Sequence, residues 1–213
     1  MNLKSVKHEL QTILSGESGS SHDALIQTTA HYLRTSQKTG PMAETKHQNR
    51  AKETERLITF ATENNLLHND IDEDRYISEG AEQKVYIVNE QHVLKLNDAI
   101  YYASWEDYFL NLMLHNYFFA DTAYHLLGFY KKGKELYAVV KQPFVQADSL
   151  TDLAQIEAFL ANNGFKNTRN YDYHHPQLGI IIEDLHDENV LTRQGTLYFI
   201  DTVFYIDPAV FWH

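Results

Sequence analysis

Two aspartates and an asparagine in the C-terminal third of the sequence have a spacing that suits phosphoryl transfer. Asp184 and Asn189 are five residues apart, and Asp201 follows twelve residues after Asn189, at the end of an apolar stretch. One carboxylate can receive or orient a hydroxyl proton, whereas an amide and a second carboxylate can hold magnesium over nucleotide phosphates. The pattern favours a nucleotide site, which the other elements of the chain must position.

Composition limits the classes of protein to which the chain can belong. Its 213 residues are 43% hydrophobic, which is typical of one or two globular domains with a sizeable core. The sequence has no cysteine, which excludes disulfides, thiolate zinc sites and iron–sulfur clusters. No apolar run approaches the ~18 residues that span a bilayer, and the first residues lack the apolar core of a signal peptide. We therefore expect a cytoplasmic protein without a membrane partner.

The charge distribution argues against nucleic acid as a partner. The net charge is −11, and residues 76–213 carry 18 acidic and only 9 basic side chains. Non-specific nucleic-acid binding needs a basic surface. A nucleotide ligand stays compatible with this charge, because it needs only one or two local cations, backbone N–H groups and a metal.

Residues 1–75 are predicted to form a helical region distinct from the rest of the chain. Ser20 or Ser21 is expected to cap its second helix, and polar residues 35–50 are expected to form a linker. The helices are expected to pack on the domain that follows, with a protein-binding face as the alternative. Apolar residues at helical spacing place the three helices around residues 3–13, 25–33 and 51–65.

From residue 76 the apolar residues recur at period two, which indicates strands. Two strand pairs are predicted, over residues 83–96 and residues 124–142. A buried helix is expected to begin after Ser104, and a second helix after Ser149 or Thr151. Short apolar strands are expected to flank the Asp184–Asn189 motif, at residues 178–182 and 196–200.

Two features of the first strand pair suit nucleotide phosphates. A small-residue turn at Gly80 lets backbone N–H groups approach phosphates, and Val85 could cover a base. Lys95 lies ten residues beyond Val85, with apolar neighbours on both sides. The alternatives are an ordinary hairpin turn and a lysine that faces solvent, since an inward lysine is costly unless it is paired.

Two further features could complete such a site. Glu106, in the first turn of the helix that follows Ser104, could pair with Lys95; Asp107 is the competing candidate, and a simple helix-dipole contact is the alternative. The strand that ends at Gln142 could connect two lobes and offer free backbone groups to an adenine edge. Its alternative is a plain strand end, where the following proline stops the ladder.

The order of these features along the chain resembles the protein-kinase signature set. The chain further resembles the kinase-like domain found in polyvalent proteins of bacterial mobile elements, over about residues 76–208. The stretches that carry this resemblance are residues 77–80, 93–98, 114–117, 127–129, 142–145, 184–191 and 199–201.

The resemblance implies an α+β fold, namely a minimal protein-kinase-like fold that is truncated at its C-terminus. An antiparallel five-stranded sheet would form the N-lobe, over about residues 76–142. Residues 143–213 would form a reduced helical C-lobe, and residues 1–75 would precede both as the N-terminal helices.

The resemblance also implies a role for each matched residue, with ATP and magnesium as cofactors. Lys95 would contact the α- and β-phosphates, with Glu106 as its ion-pair partner. Asp184 would be the catalytic base. His186 would touch the γ-phosphate, at a position where many small-molecule kinases have histidine. The two remaining residues, Asn189 and Asp201, would bind magnesium.

The sequence departs from the protein-kinase pattern in three places. Ile182 and Glu183 replace the His-Arg that usually precedes the catalytic aspartate, and Thr202-Val203 replaces the Phe-Gly that usually follows the metal-binding one. Only 12 residues follow Asp201, too few for an activation segment and the helices that bind a protein substrate. We therefore expect phosphotransfer to a small molecule or to the protein itself.

Two other functions compete with phosphotransfer. A non-catalytic binding or scaffold module would keep the nucleotide site without turnover. A metal-dependent hydrolase would use a cluster of acidic and histidine side chains, although that interpretation leaves Lys95 and Asn189 without a role. The cluster would consist of Glu183, Asp184, His186, Asp187 and Glu188, with extension by His174 and His175.

Overall fold

The computed structural model describes residues 2–16, 24–37, 46–80 and 83–213 of the chain. The described residues form six helices and twelve strands, and the strands make three sheets. The helices are α1 (Leu3–Ser15), α2 (Ala24–Gln37), α3 (Lys46–Glu63), α4 (Trp105–Phe118), α5 (Leu153–Asn162) and α6 (Pro208–Phe211). The strands are β1 (Leu67–His68), β2 (Tyr76–Glu79), β3 (Gln83–Asn89), β4 (His92–Asn97), β5 (His125–Lys132), β6 (Glu135–Pro143), β7 (Lys166–Arg169), β8 (Asp172–His175), β9 (Ile180–Glu183), β10 (Val190–Arg193), β11 (Thr196–Phe199) and β12 (Val203–Ile206).

Three helices precede the sheets, as the apolar spacing predicts. Helix α1 begins after Asn2, whose side chain accepts a hydrogen bond from the backbone of Lys4, and ends at Gly16 with a left-handed φ of 83°. The predicted linker over residues 35–50 is shorter than expected, because α2 continues to Gln37 and α3 already begins at Lys46. The predicted serine caps of α2, residues 20 and 21, lie outside the described residues.

Helix α4 is the centre of the main hydrophobic core. Ser104 caps it by accepting a hydrogen bond from the backbone N–H of Asp107, as the sequence predicts. Trp105 and Phe109 are buried in one cluster together with Leu10 of α1. Buried leucines of α2 and α3 join the same cluster, so the N-terminal helices pack on the elements that follow them.

The large sheet corrects the prediction of a five-stranded antiparallel sheet. It has six strands in the order β1-β5-β6-β4-β3-β2, and its β1–β5 pair is parallel. Leu67 of β1 lies opposite Phe129 of β5. The close approach needs glycine at position 128, because a side chain there would collide with the backbone carbonyl of Leu66. A two-residue strand gives no periodic signal, which is why the sequence did not predict β1.

The C-terminal part contains more strands than the reduced helical lobe that was expected. A four-stranded sheet has the order β12-β9-β8-β7, and a separate hairpin joins β10 to β11. Helix α5 is capped by Asp152, whereas Ser149 or Thr151 was predicted. His174 and His175 lie in β8, and His175 is only 3% exposed.

Candidate nucleotide-binding site

A cleft of about 380 Å³ lies between the six-stranded sheet and the segments that follow β9 and β11. Six of the residues that the sequence singled out line this cleft, although they come from distant parts of the chain. Asp184 and His186 adjoin the cleft through contacts with Asn189. The six lining residues are Gly80, Val85, Lys95, Gln142, Asn189 and Asp201.

Lys95 points inward from β4 and is 4% exposed. Its Nζ donates to the backbone carbonyl of Ile200 at 2.9 Å and lies 3.9 Å from Oδ2 of Asp201. The ammonium also lies 5.4 Å from the ring centre of Tyr124, within cation–π range. Burial lowers the pKa of Lys95, and the Asp201 carboxylate offsets part of that effect.

The Ile200 carbonyl next to Asp201 accepts hydrogen bonds from three buried side chains. Besides Lys95, the donors are the Tyr124 hydroxyl at 2.9 Å and Nε2 of Gln142 at 3.0 Å. Gln142 also donates to the carbonyl of Thr122 at 2.8 Å. Its side chain therefore fixes the back of the cleft.

The motif around Asp184 is a tight turn that is held by Asn189. The Asn189 amide donates to the carbonyl of Asp184 at 2.8 Å and to its Oδ2 at 2.9 Å, and it lies 3.2 Å from Nε2 of His186. Asp184 has a φ of 65°, in the left-handed region that aspartate and asparagine tolerate better than most residues. Asn189 Oδ1 makes no hydrogen bond among the described residues, so an acceptor oxygen is free at the cleft wall.

The predicted ion pair between Lys95 and Glu106 is wrong. Glu106 Oε1 lies 2.5 Å from Nε of Arg34 in α2, and both side chains are 26% exposed. The competing candidate, Asp107, accepts a hydrogen bond from Ser104 at 2.8 Å. The carboxylate beside Lys95 is that of Asp201. Both acids lie in the first turn of α4 and serve its N-terminus and the packing of α2.

In the turn at Gly80 and in the connector, which is the segment that follows β6, some backbone N–H groups already donate hydrogen bonds within the protein. The N–H of Gly80 donates to the carbonyl of Gln83 at 2.9 Å, and the Gln83 side chain donates to Oδ2 of Asp201 in a close contact. In the connector, the N–H of Phe144 donates to the carbonyl of Gln91 at 2.8 Å. The N–H of Val145 makes no hydrogen bond among the described residues, and Val145 lines the cleft.

Other parts of the molecule fit nucleotide chemistry less well. A larger cavity of about 660 Å³ is lined by Arg34, Glu106 and Asp107, but it has no lysine or asparagine, and its arginine is already paired with Glu106. Among the described residues, no group of three or more histidine and acidic side chains could hold a metal ion. The predicted hydrolase cluster is therefore not assembled.

No helix among the described residues is long and apolar enough to cross a membrane.

Sequence reasoning missed four residues that hold the cleft in place. Tyr124 and Thr122 contact the Lys95 and Gln142 network, and His115 joins Thr202 to Thr122 from within α4. The available signal was the polar His115 inside an otherwise apolar helix, since a buried polar side chain needs a partner. Its partners could not be read from the sequence because they lie in other elements.

Comparison with known proteins places the chain in a family. A family model described as serine/threonine/tyrosine kinase found in polyvalent proteins matches residues 50–208, and therefore begins within α3. No curated protein and no solved structure matches the chain. The family match covers most of the sequence and includes every residue that lines the cleft. The chain therefore belongs to the family of kinases found in polyvalent proteins.

Proposed function

We propose that the protein binds ATP and magnesium in the cleft and transfers the γ-phosphoryl group to a small-molecule hydroxyl or to a hydroxyl of its own. One observation carries the proposal. Lys95, Asn189 and Asp201 line a single cleft, although one lies on a strand of the large sheet and the other two follow β9 and β11. These are a cation and two oxygen donors, the groups that phosphates and magnesium require.

Lys95 is the phosphate-binding group in this proposal. Its stem is buried, and its ammonium is held by the Ile200 carbonyl and Asp201. A fixed cation binds phosphate without the entropy cost of ordering a long side chain. Val85 and Val93 lie on the same face of the large sheet and give the cleft an apolar wall that is suited to a base, and the unpaired N–H of Val145 is suited to a ring nitrogen at its edge.

The side-chain oxygens that line the cleft are suitable ligands for magnesium. Asn189 turns its amide nitrogen toward Asp184 and leaves Oδ1 free, while Asp201 is 36% exposed and has Oδ1 without a partner among the described residues. Magnesium commonly uses one or two protein oxygens and takes its remaining ligands from phosphates and water. When bound, the ion would neutralise charge on the phosphates.

Asp184 is the proposed proton acceptor. Its carboxylate adjoins the cleft through Asn189 and lies 3.4 Å from Nε2 of His186. In the transfer, the acceptor hydroxyl oxygen bonds to the γ-phosphorus, the bond from that phosphorus to the β–γ bridging oxygen breaks, and ADP leaves. The hydroxyl proton passes to Asp184. His186 would donate to a γ-phosphate oxygen through a protonated ring nitrogen.

The same arrangement supports a reduced protein-kinase-like fold as part of the proposal. The five strands β2 to β6 and helix α4 lie on one side of the cleft. The Asp184–Asn189 turn and the β10–β11 hairpin lie on the other. The N-terminal helices pack on α4. We also propose that the surface of these helices binds a protein partner.

A non-catalytic binding module is the second candidate, and one observation favours it. Both oxygens of Asp184 already have neighbours, since Oδ2 accepts from Asn189 and Oδ1 lies beside His186. A carboxylate engaged in this way can hold the turn closed without ever receiving a proton. Nucleotide binding without ADP formation would identify this function.

Thermal unfolding with ATP and magnesium tests the nucleotide site. At an ATP concentration about 100 times the dissociation constant, binding stabilises the folded state by about 2.7 kcal/mol. For a chain of this size that raises the unfolding temperature by about 5–10 °C. No rise with ATP or with other nucleotides would contradict the proposed site.

ADP release with and without added small-molecule acceptors tests phosphotransfer. Asp184→Asn keeps the shape and tolerates the left-handed φ better than alanine would, and it should abolish ADP release while keeping nucleotide binding. Asp187→Asn is the matched control, because the Asp187 side chain is 62% exposed and, among the described residues, its one side-chain contact is with Nδ1 of His186. Binding by the wild-type protein without any ADP release would favour the non-catalytic module.

A further inference from the structure

Two buried polar residues of α4, one turn apart, hold the segment that follows Asp201. The side chain of Asn111 accepts from the backbone N–H of Phe204 at 2.8 Å. The Nδ1 atom of His115 lies 2.8 Å from the hydroxyl of Thr202. His115 is fully buried and Thr202 is 1% exposed, so water does not compete for this bond.

The partners of His115 fix the direction of its hydrogen bonds. Its Nε2 lies 3.1 Å from the carbonyl oxygen of Thr122, which can only accept, so Nε2 carries the proton. In a neutral ring Nδ1 is then the acceptor, and the Thr202 hydroxyl must donate to it. Burial, together with the charge of nearby Lys95, lowers the pKa of His115 to about 3 despite the bond to Thr122, which agrees with a neutral ring.

These bonds leave Asp201 between two fixed neighbours. On one side, the Ile200 carbonyl accepts from Lys95, Tyr124 and Gln142. On the other side, Thr202 is tied to His115. The backbone N–H of Asp201 itself donates to the carbonyl of Asn189 at 3.3 Å. The carboxylate can change its own rotamer, but its backbone has little freedom.

We propose that His115 is a positioning residue for Asp201, and that the His115–Thr202 hydrogen bond presents the Asp201 carboxylate to a metal ion. The inference rests on the proposed function, because it concerns the same metal site. A neutral imidazole suits this place, since a second cation beside Lys95 would be repelled. Helix α4 thus reaches the site through His115, two and a half turns beyond Glu106.

Substitutions of Thr202 test the inference without disturbing α4. Thr202→Val keeps the volume but removes the hydroxyl that donates to His115, whereas Thr202→Ser keeps the hydroxyl. ATP affinity is measured for each variant in magnesium and in EDTA. We expect Thr202→Val to weaken ATP binding about tenfold in magnesium, as loss of a residue that supports a metal ligand does, and to leave binding in EDTA unchanged. Thr202→Ser should restore the magnesium-dependent part.

Asn111→Ala is the control for a merely structural effect. It removes a buried hydrogen bond between the same helix and the same segment, but two residues further from Asp201. We expect it to lower the unfolding temperature at least as much as Thr202→Val without changing the gain in ATP affinity that magnesium gives. An equal magnesium gain in wild type and Thr202→Val, or an equal loss in Asn111→Ala, would overturn the positioning role. Failure of the wild-type protein to bind ATP in either buffer would instead overturn the proposed function and, with it, this inference.

Discussion

The carboxylate of Asp201 lies 3.9 Å from the ammonium of Lys95 and joins the C-terminal segment to the centre of the large sheet. The lysine side chain is 5% exposed and the aspartate side chain is 36% exposed, so the lysine end of the pair is buried and the aspartate end is accessible to solvent. The accessible aspartate faces the cleft. An ion pair with this geometry can hold the cleft together and still offer the carboxylate to a ligand.

The burial of Lys95 predicts that its charge serves a ligand more than it serves stability. Lys95→Met should abolish the stabilisation by ATP and magnesium. It should change the free energy of unfolding without ligand by less than about 1 kcal/mol, because replacing a buried charge by an apolar chain is often neutral. The Ile200 carbonyl keeps two donors, and Asp201 can be solvated. Urea unfolding and thermal shift measure the two effects.

Lys141→Met is the control for this prediction. Lys141 lies on the neighbouring strand β6 and is not among the residues that line the cleft. Its replacement should leave the ATP-dependent shift intact. A loss of more than about 3 kcal/mol without ligand in Lys95→Met would contradict the prediction, since that is the cost of leaving a buried charge uncompensated.

The contact between Gln83 and Asp201 predicts a variant that binds better than the wild-type protein. The Gln83 amide occupies Oδ2 of Asp201, so a metal ion that used this oxygen would have to displace it. Gln83→Ala should raise ATP affinity in magnesium about fivefold, equivalent to about 1 kcal/mol for one hydrogen bond. Gln91→Ala, at the exposed hairpin turn, is the control and should change nothing. Weaker binding by Gln83→Ala would mean that this amide holds Asp201 in its binding position.

The sequence predicted much of the cleft because its chemistry is local. Lys95 with its apolar neighbours, the Asp184-to-Asn189 spacing and the strand before Asp201 each carry a signal within a few residues. Their order along the chain then linked them. The magnesium and ATP roles of these residues stay predictions until binding is measured.

The wrong prediction that Glu106 pairs with Lys95 shows what local sequence signals cannot predict. An acidic residue in a first helical turn is expected whether or not a lysine lies nearby. Which turn of α4 reaches the cleft depends on how the whole helix packs, and the packing brings His115 rather than Glu106 toward the site. Strand β7 was missed for a related reason. All four of its residues are exposed and polar, so they show no apolar alternation.

The pairing of Glu106 with Arg34 predicts that this acid is independent of the nucleotide. Glu106→Gln should leave ATP affinity in magnesium within about twofold of the wild-type value. It should lower the free energy of unfolding by less than about 1 kcal/mol, because both partners are partly exposed. Calorimetric titration and urea unfolding check these values. A tenfold loss of ATP affinity would contradict this prediction and would indicate that Glu106 acts on Lys95.

The neutral, buried state of His115 predicts that acid destabilises the fold. Its pKa is lowered from 6.5 to about 3, mainly by burial, so below pH 6.5 the unfolded chain binds a proton that the folded chain does not. The stability that the neutral ring gives is complete above pH 6.5 and is lost as the pH falls toward 3. From pH 7.5 to 5.5 this loss is about 1.4 kcal/mol for one such histidine.

Urea unfolding of the wild-type protein and of His115→Gln at both pH values measures this loss. The pKa of His175 is also lowered, but His175 is present in both proteins, so the difference in pH dependence isolates His115. Equal pH dependence of the two proteins would mean that His115 keeps its ordinary pKa in the folded chain.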